Sequence, residues 1–180
     1  LSGVASSMFN RGDRVLVIMQ NGYTSATGAQ FIPNTSGNRR DGETTSDIAA
    51  TLKAIRSDAG CNGKVGTMGF CLGGRLAFMM ALDSDADCHI SYYGVGLEGL
   101  VGDAAKITAP TMLHIAEADK FVPAAAQQAI AEGLADTRLA RVEIYPGVDH
   151  AFARVGGHSY DARAATIANG RTAEFLVKYL

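Results

Sequence analysis

Cys71 stands within Gly69-Phe70-Cys71-Leu72-Gly73-Gly74, directly after an apolar run over residues 65–68 and directly before the helix-like Arg75-Leu76-Ala77-Phe78-Met79-Met80. Closely spaced glycines between a strand and a helix allow a sharp turn without side-chain clashes, and they leave the residue at the bend exposed at the helix N-terminus. The partial positive charge there favours the thiolate, the reactive form of cysteine. The backbone N–H of Leu72 is the expected donor to an oxyanion forming beside the sulfur. A buried structural cysteine beside a glycine turn is the plainer alternative.

A thiol nucleophile needs a base, and the base needs an orienting acid. Two further loops follow apolar runs: Ala116-Glu117-Ala118-Asp119-Lys120-Phe121-Val122-Pro123, and Tyr145-Pro146-Gly147-Val148-Asp149-His150-Ala151-Phe152. The order Cys71, Asp119, His150 is the nucleophile, acid, histidine order of α/β-hydrolases, with intervals long enough to hold the elements between them. Glu117 and Asp149 compete with Asp119 for the acid. His89 and His114 lie inside strand patterns, where a packed, hydrogen-bonded imidazole is expected, and His158 sits in a Gly-rich loop without acid spacing. No CxxC, HxxxH or HExxH spacing occurs, so no metal site is expected.

The elements that would position these residues are legible as alternating patterns. Strands are expected near residues 14–19, 64–68, 88–93, 111–116 and 141–145. The first helix has Thr44 and Asp47 as candidate caps, Ile48, Leu52 and Ile55 on one face, and Gly60 as a stop. Further helices are expected over 72–82, 123–135 and 161–179, and residues 21–40 read as one long loop. Such alternation predicts an α/β fold, a doubly wound, mostly parallel sheet with helices on both faces, whose ligands bind at the carboxyl ends of the strands. Gly94-Val95-Gly96-Leu97-Glu98-Gly99 matches a dinucleotide-binding glycine pattern, but the stretch up to Pro110 is short for the required helix, so a tight loop is expected.

Of 180 residues, 47% are hydrophobic and 19% charged, with a net charge of −2, which argues for a compact fold and against nucleic acid as a partner. One domain over residues 1–180 is the expectation. Three cysteines are too few and too scattered for a disulfide scaffold, and no signal peptide or membrane-spanning run is apparent, so a reducing, cytoplasmic setting is expected, with no membrane partner. The chain does not begin with Met, and an N-terminally incomplete domain is expected.

With these features in place, the sequence resembles the dienelactone hydrolase (carboxymethylenebutenolidase) family of α/β-hydrolases, enzymes of aromatic catabolism. The resemblance runs from Asp41 onward, through the Cys71 elbow, Tyr92-Tyr93-Gly94-Val95-Gly96-Leu97-Glu98, the Asp119 loop, Gly147-Val148-Asp149-His150-Ala151-Phe152-Ala153-Arg154, and Ala168-Asn169-Gly170-Arg171-Thr172. It implies a Cys71, His150, Asp119 triad without a cofactor, acting on a carboxylated unsaturated γ-lactone opened to a keto acid such as maleylacetate through a cysteine acyl-enzyme. It also implies that Arg154 grips the substrate carboxylate and that Tyr93 lines the pocket. Family members carry additional N-terminal strands, a Glu that pairs with the resting cysteine, and a second Arg; here Val15-Leu16-Val17-Ile18-Met19-Gln20-Asn21 can be laid on either of two family strands, neither placement supplies the Glu, and Arg39 and Arg40 do not match the second Arg. The expected partner is thus a small lactone or ester, with the chain a monomer. The rival readings are a broader carboxylesterase of the same family and a non-catalytic thiol redox sensor or binding protein.

Overall fold

A computed structural model describes residues 14–19, 31–33, 41–59 and 61–180, with side chains from residue 45 onward. Strands β1 (Arg14–Met19), β2 (Phe31–Pro33), β3 (Val65–Phe70), β4 (Cys88–Tyr92), β5 (Thr111–Ala116) and β6 (Ala140–Tyr145) form one parallel sheet in the order β2-β1-β3-β4-β5-β6. Strands β3, β4 and β5 are buried along their whole length. Burial on both faces leaves no solvent-facing side, so the polar residues His89, Ser91 and His114 of β4 and β5 are buried with the apolar ones. The register sets Phe70 opposite Tyr92, Tyr92 opposite His114, and Ala116 opposite Tyr145, so the strands end nearly level and their outgoing loops share one rim.

The chain steps outward from β1 to β2, then returns to the other side of β1 to lay down β3. That reversal opens a crevice at the carboxyl ends of β1 and β3, the place where open α/β sheets bind ligands. Cys71 is the first residue after β3.

Helices α1 (Asp41–Arg56), α2 (Leu72–Leu82), α3 (Ala124–Leu134) and α4 (Ala162–Tyr179) cover the sheet. On one face, Ile48, Leu52 and Ile55 of α1 pack with Val65, Leu76 and Met80, and Ile130 and Leu134 of α3 pack with Leu113 and Ile115. On the other, α4 turns Ala165, Ala168, Phe175 and Leu176 toward Met68, Ile90 and Met112. These α4 positions recur at helical spacing, and its small alanines let the helix lie close to the strands. Asp161 caps α4, its Oδ1 accepting the Ala164 N–H at 2.7 Å.

Within the α4 layer lies a polar network. His114 is wholly buried, with Nδ1 2.8 Å from the Tyr145 hydroxyl and Nε2 2.9 Å from Thr172 Oγ1, and the Tyr92 hydroxyl is 2.7 Å from the same Thr172 oxygen. Burial, with the nearby Arg171 and Arg141 charges, lowers the His114 pKa to about 3. The imidazole is therefore neutral, and it ties α4 to β4, β5 and β6.

Three expectations need correction. The 21–40 stretch read as a loop contains β2, a strand of three residues and thus too short to show periodicity; its flanking residues lie outside the described set. Helix α1 is already helical at Asp41, ahead of the expected caps Thr44 and Asp47, and Gly60 lies outside the described residues. Strand β3 continues past Met68 to Phe70, straight into the elbow. The 94–99 glycine stretch ends in a 3₁₀ turn, Leu97–Gly99, and a second, Val101–Lys106, follows it, in line with the expected tight loop. Among the described residues no helix is long and apolar enough to cross a membrane.

Candidate active site

Cys71 joins β3 to α2 with φ 57° and ψ −119°, a backbone conformation that costs a non-glycine residue on the order of 1–3 kcal/mol. Two hydrogen bonds hold it there: the Cys71 N–H donates to the Tyr92 carbonyl at 3.0 Å, and the Arg75 N–H donates to the Cys71 carbonyl at 3.1 Å. The flanking glycines are required by contact. A Cβ at Gly69 would collide with the Gly73 carbonyl, and one at Gly74 would stand 2.7 Å from the Tyr92 carbonyl oxygen. Leu72 opens α2, so its N–H has no acceptor within the helix and is free for another.

The loops after β5 and β6 bring Asp119 and His150 together, with His150 Nδ1 2.7 Å from Asp119 Oδ2. The Cys71 side chain lies beside the same imidazole, close enough to act on its titration. Asp119 is 3% exposed, and its second oxygen, Oδ1, accepts the Phe121 N–H at 2.8 Å. Both competing acids are engaged elsewhere. Glu117 Oε2 accepts the Gly147 N–H at 2.8 Å, and Asp149 Oδ1 accepts the N–H of its neighbour His150 at 2.7 Å. Burial alone would lower the His150 pKa, but the hydrogen bond with Asp119 and the nearby Cys71 side chain outweigh it and raise the pKa to about 9.

The other histidines have different surroundings. His89 is buried with Nδ1 2.8 Å from Thr67 Oγ1, and burial takes its pKa down to about 4; His158 is exposed. Tyr93 is buried at the carboxyl end of β4 with φ 38°, its ring edge-to-face with His150 at 5.1 Å between centroids. Desolvation pushes its hydroxyl pKa up, with the Arg154 charge pulling the other way. Arg154 itself is exposed and has no acidic partner among the described residues. Cys71, Tyr93 and Ala151 (φ 65°) are the non-glycine residues with positive φ in the described set, and all three lie at this rim.

Phe121 belongs to the site and is absent from the residues singled out in the sequence. Its ring lies edge-on to His150 at 4.9 Å while remaining 69% exposed. The available signal was a bulky aromatic two residues behind an acid, in a loop that follows a strand.

Residues 11–180 match the Dienelactone hydrolase family. The chain belongs to that family. The match extends nearer the N-terminus than the motifs, which begin at Asp41. Among curated members, a protein of Azospirillum brasilense assigned as a carboxymethylenebutenolidase is 55% identical over 109 residues, covering 61% of this chain and 47% of that protein. The carboxymethylenebutenolidase of Pseudomonas putida is 40% identical over 130 residues, covering 72% of this chain and 55% of the enzyme. The chain spans about half the length of the curated dienelactone hydrolase relatives it matches. Among solved structures, a Klebsiella pneumoniae protein assigned as a dienelactone hydrolase superposes with a TM-score of 0.75 at 18% identity, covering 92% of this chain and 87% of that one. The Pyrococcus furiosus esterase Pf2001 gives 0.69 at 16% identity, covering 93% and 82%. At such identities the likeness is one of fold, the α/β-hydrolase fold shared by dienelactone hydrolases.

Proposed function

We propose that this dienelactone hydrolase family chain contributes the reactive centre of a hydrolase that opens a small carboxylated lactone through a cysteine acyl-enzyme. The observation that carries the reading is His150, hydrogen-bonded to the buried Asp119 carboxylate and set beside a thiol held in a strained elbow at a helix N-terminus. Cys71 thiolate attacks the lactone carbonyl, and the oxyanion accepts from the Leu72 N–H. The ring C–O bond breaks, and the departing oxygen takes the proton from the His150 imidazolium. His150 then removes a proton from water as that water attacks the thioester, releasing a carboxylate and regenerating the thiolate. Asp119 holds the Nδ1–H tautomer throughout.

Arg154 is the residue assigned to the substrate carboxylate, and its lack of an acidic partner among the described residues leaves its donor fork free for one. Phe121 and Tyr93 flank the imidazole and keep it out of bulk water. The soluble, reducing setting and the monomeric state belong to the same proposal. A redox sensor is less well supported. Cys88 pairs in register with Gly66, at the far end of β3, which sets it roughly 15 Å from Cys71 at about 3.3 Å per residue, well beyond disulfide reach. Its buried thiol is also pushed up to about 12, by desolvation first and then by Asp87.

Rapid quenching of the protein with a dienelactone, followed by peptide mass analysis, tests the covalent step. An acyl adduct on Cys71 that is absent in Cys71→Ala is expected. Full lactone turnover by Cys71→Ala would overturn the proposal.

A further inference from the structure

A cavity of about 320 Å³ opens at the amino ends of β5 and β6, lined by Pro110, by the turn and strand residues Arg138, Leu139 and Arg141, and by the second half of α4. Cys71, Asp119 and His150 follow the carboxyl ends of β3, β5 and β6, so the cavity lies about a strand's length away, on the order of 20 Å. Nothing in the chemistry at Cys71 uses it.

Its charge is unlike that of the molecule. The chain carries a net charge of −2, yet Arg138, Arg141, Arg171 and Lys178 all line this one cavity. Glu143 accepts from both Arg141 and Arg171, the latter at 2.8 Å, and Glu174 stands on the wall. These two acids offset two of the four cations, and the remaining positive charge is that of a site for a dianion. Donors are also available. Arg141 meets Glu143 through Nε, leaving its terminal nitrogens unpaired among the described residues, and Arg138 has no hydrogen-bond or ion-pair partner among them. A guanidinium with free terminal nitrogens is a forked donor matched to carboxylate or phosphate.

The rest of the wall is apolar. Pro110, the 41% exposed Leu139 and the ring of Phe175 supply a surface for a hydrocarbon body. The volume falls at the lower end of ordinary ligand pockets, more than one bare inorganic anion fills. We infer that this cavity is a second binding site, separate from the Cys71 centre, for a small organic dianion that carries a ring or comparable apolar body.

Calorimetric titration in low-salt buffer tests this with three probes: phthalate, benzoate and inorganic phosphate. Phthalate, with two carboxylates and a ring, should bind saturably and roughly ten-fold or more tighter than either benzoate or phosphate, since each lacks one of the two features. The double variant Arg138→Gln with Lys178→Gln removes cations that have no ion-pair partner among the described residues, so it should fold normally and weaken phthalate by roughly ten-fold or more. Arg154→Met removes the cation at the opposite rim and should leave phthalate binding unchanged. No saturable binding at low-millimolar phthalate, equal affinity for benzoate, or affinity untouched by the double variant would each overturn the inference. Loss of binding in Arg154→Met would mean that the probe had entered the Cys71 centre instead, and would overturn it equally.

Discussion

Asp119→Asn is the perturbation whose outcome the geometry specifies most closely. Asp119 accepts two hydrogen bonds, one on each oxygen: the Phe121 N–H at 2.8 Å and His150 Nδ1 at 2.7 Å. An asparagine has one acceptor oxygen, and the Phe121 amide can only donate, so that oxygen turns toward Phe121. The new NH₂ then faces His150 Nδ1, which must become an acceptor. The ring proton moves to the nitrogen facing Cys71, and the imidazole can no longer take a proton from the thiol. Returning His150 from about 9 to its ordinary 6.5 corresponds to about 3 kcal/mol, at ~1.4 kcal/mol per tenfold change in proton affinity. Cys71 and Asp119 share in that elevation, so the pKa effect of losing Asp119 is a part of it, and the wrong tautomer adds to the loss. The expected fall in kcat/KM is roughly 10²-fold to 10³-fold. Iodoacetamide alkylation of Cys71 across pH reads the same change without needing a substrate, because the variant should require a higher pH to react. An alkylation profile identical to that of the parent protein, with Asp149→Asn or Glu117→Gln crippling instead, would refute the reasoning.

Stability should peak near pH 6.5. His89 and His114 have pKa values lowered to about 4 and about 3, so the stability of their neutral forms is complete above 6.5 and is lost as pH falls toward those values. His150 is raised to about 9, so its contribution is complete below 6.5 and is lost as pH rises through 9. Urea midpoints that climb steadily from pH 6.5 to 9 would contradict this. Thr172→Val keeps the side-chain shape but strips the hydroxyl shared by His114 and Tyr92, and it should cost about 2–5 kcal/mol, seen as a Tm lower by roughly 5–15 °C, whereas Thr172→Ser should lose less. Gly74→Ala sets a Cβ 2.7 Å from the Tyr92 carbonyl oxygen and 2.9 Å from Gly94 Cα, so thermal melts should register a loss of about 1–3 kcal/mol together with slower Cys71 alkylation, while Gly102→Ala, in open space, should do neither. Arg154→Met should lower kcat/KM for a carboxylated lactone by roughly 10-fold to 100-fold, reflecting an exposed cation, and barely change an uncharged aryl ester in parallel assays.

The elbow was legible because its determinants are local. Gly69, Gly73 and Gly74 act on contacts within a few residues of Cys71, and the same shortness of range made α2, α3 and α4 readable to within a residue or two. The acid was not legible in this way. Glu117, Asp119 and Asp149 are equivalent as residue types, and only the folded loops send Glu117 to the Gly147 amide and Asp149 to its own neighbour. Strand β2 offered three residues, and its pairing with β1 is a tertiary fact. The exposed ring of Phe121 and the convergence of Arg138, Arg141, Arg171 and Lys178 depend on which distant segments meet, and no periodicity within one segment encodes that.

The three strained backbones at the rim also bear on how the molecule fails when heated. Cys71, Tyr93 and Ala151 each hold an unfavourable φ only while the surrounding loops stay packed, whereas the strands below them carry no such burden. Warming should therefore release the rim first, as a local event that relieves strain and leaves the sheet standing. Inactivation would then run ahead of melting: the enhanced reactivity of Cys71 would fade several degrees before the helical circular dichroism signal does, and cooling from that interval would restore it.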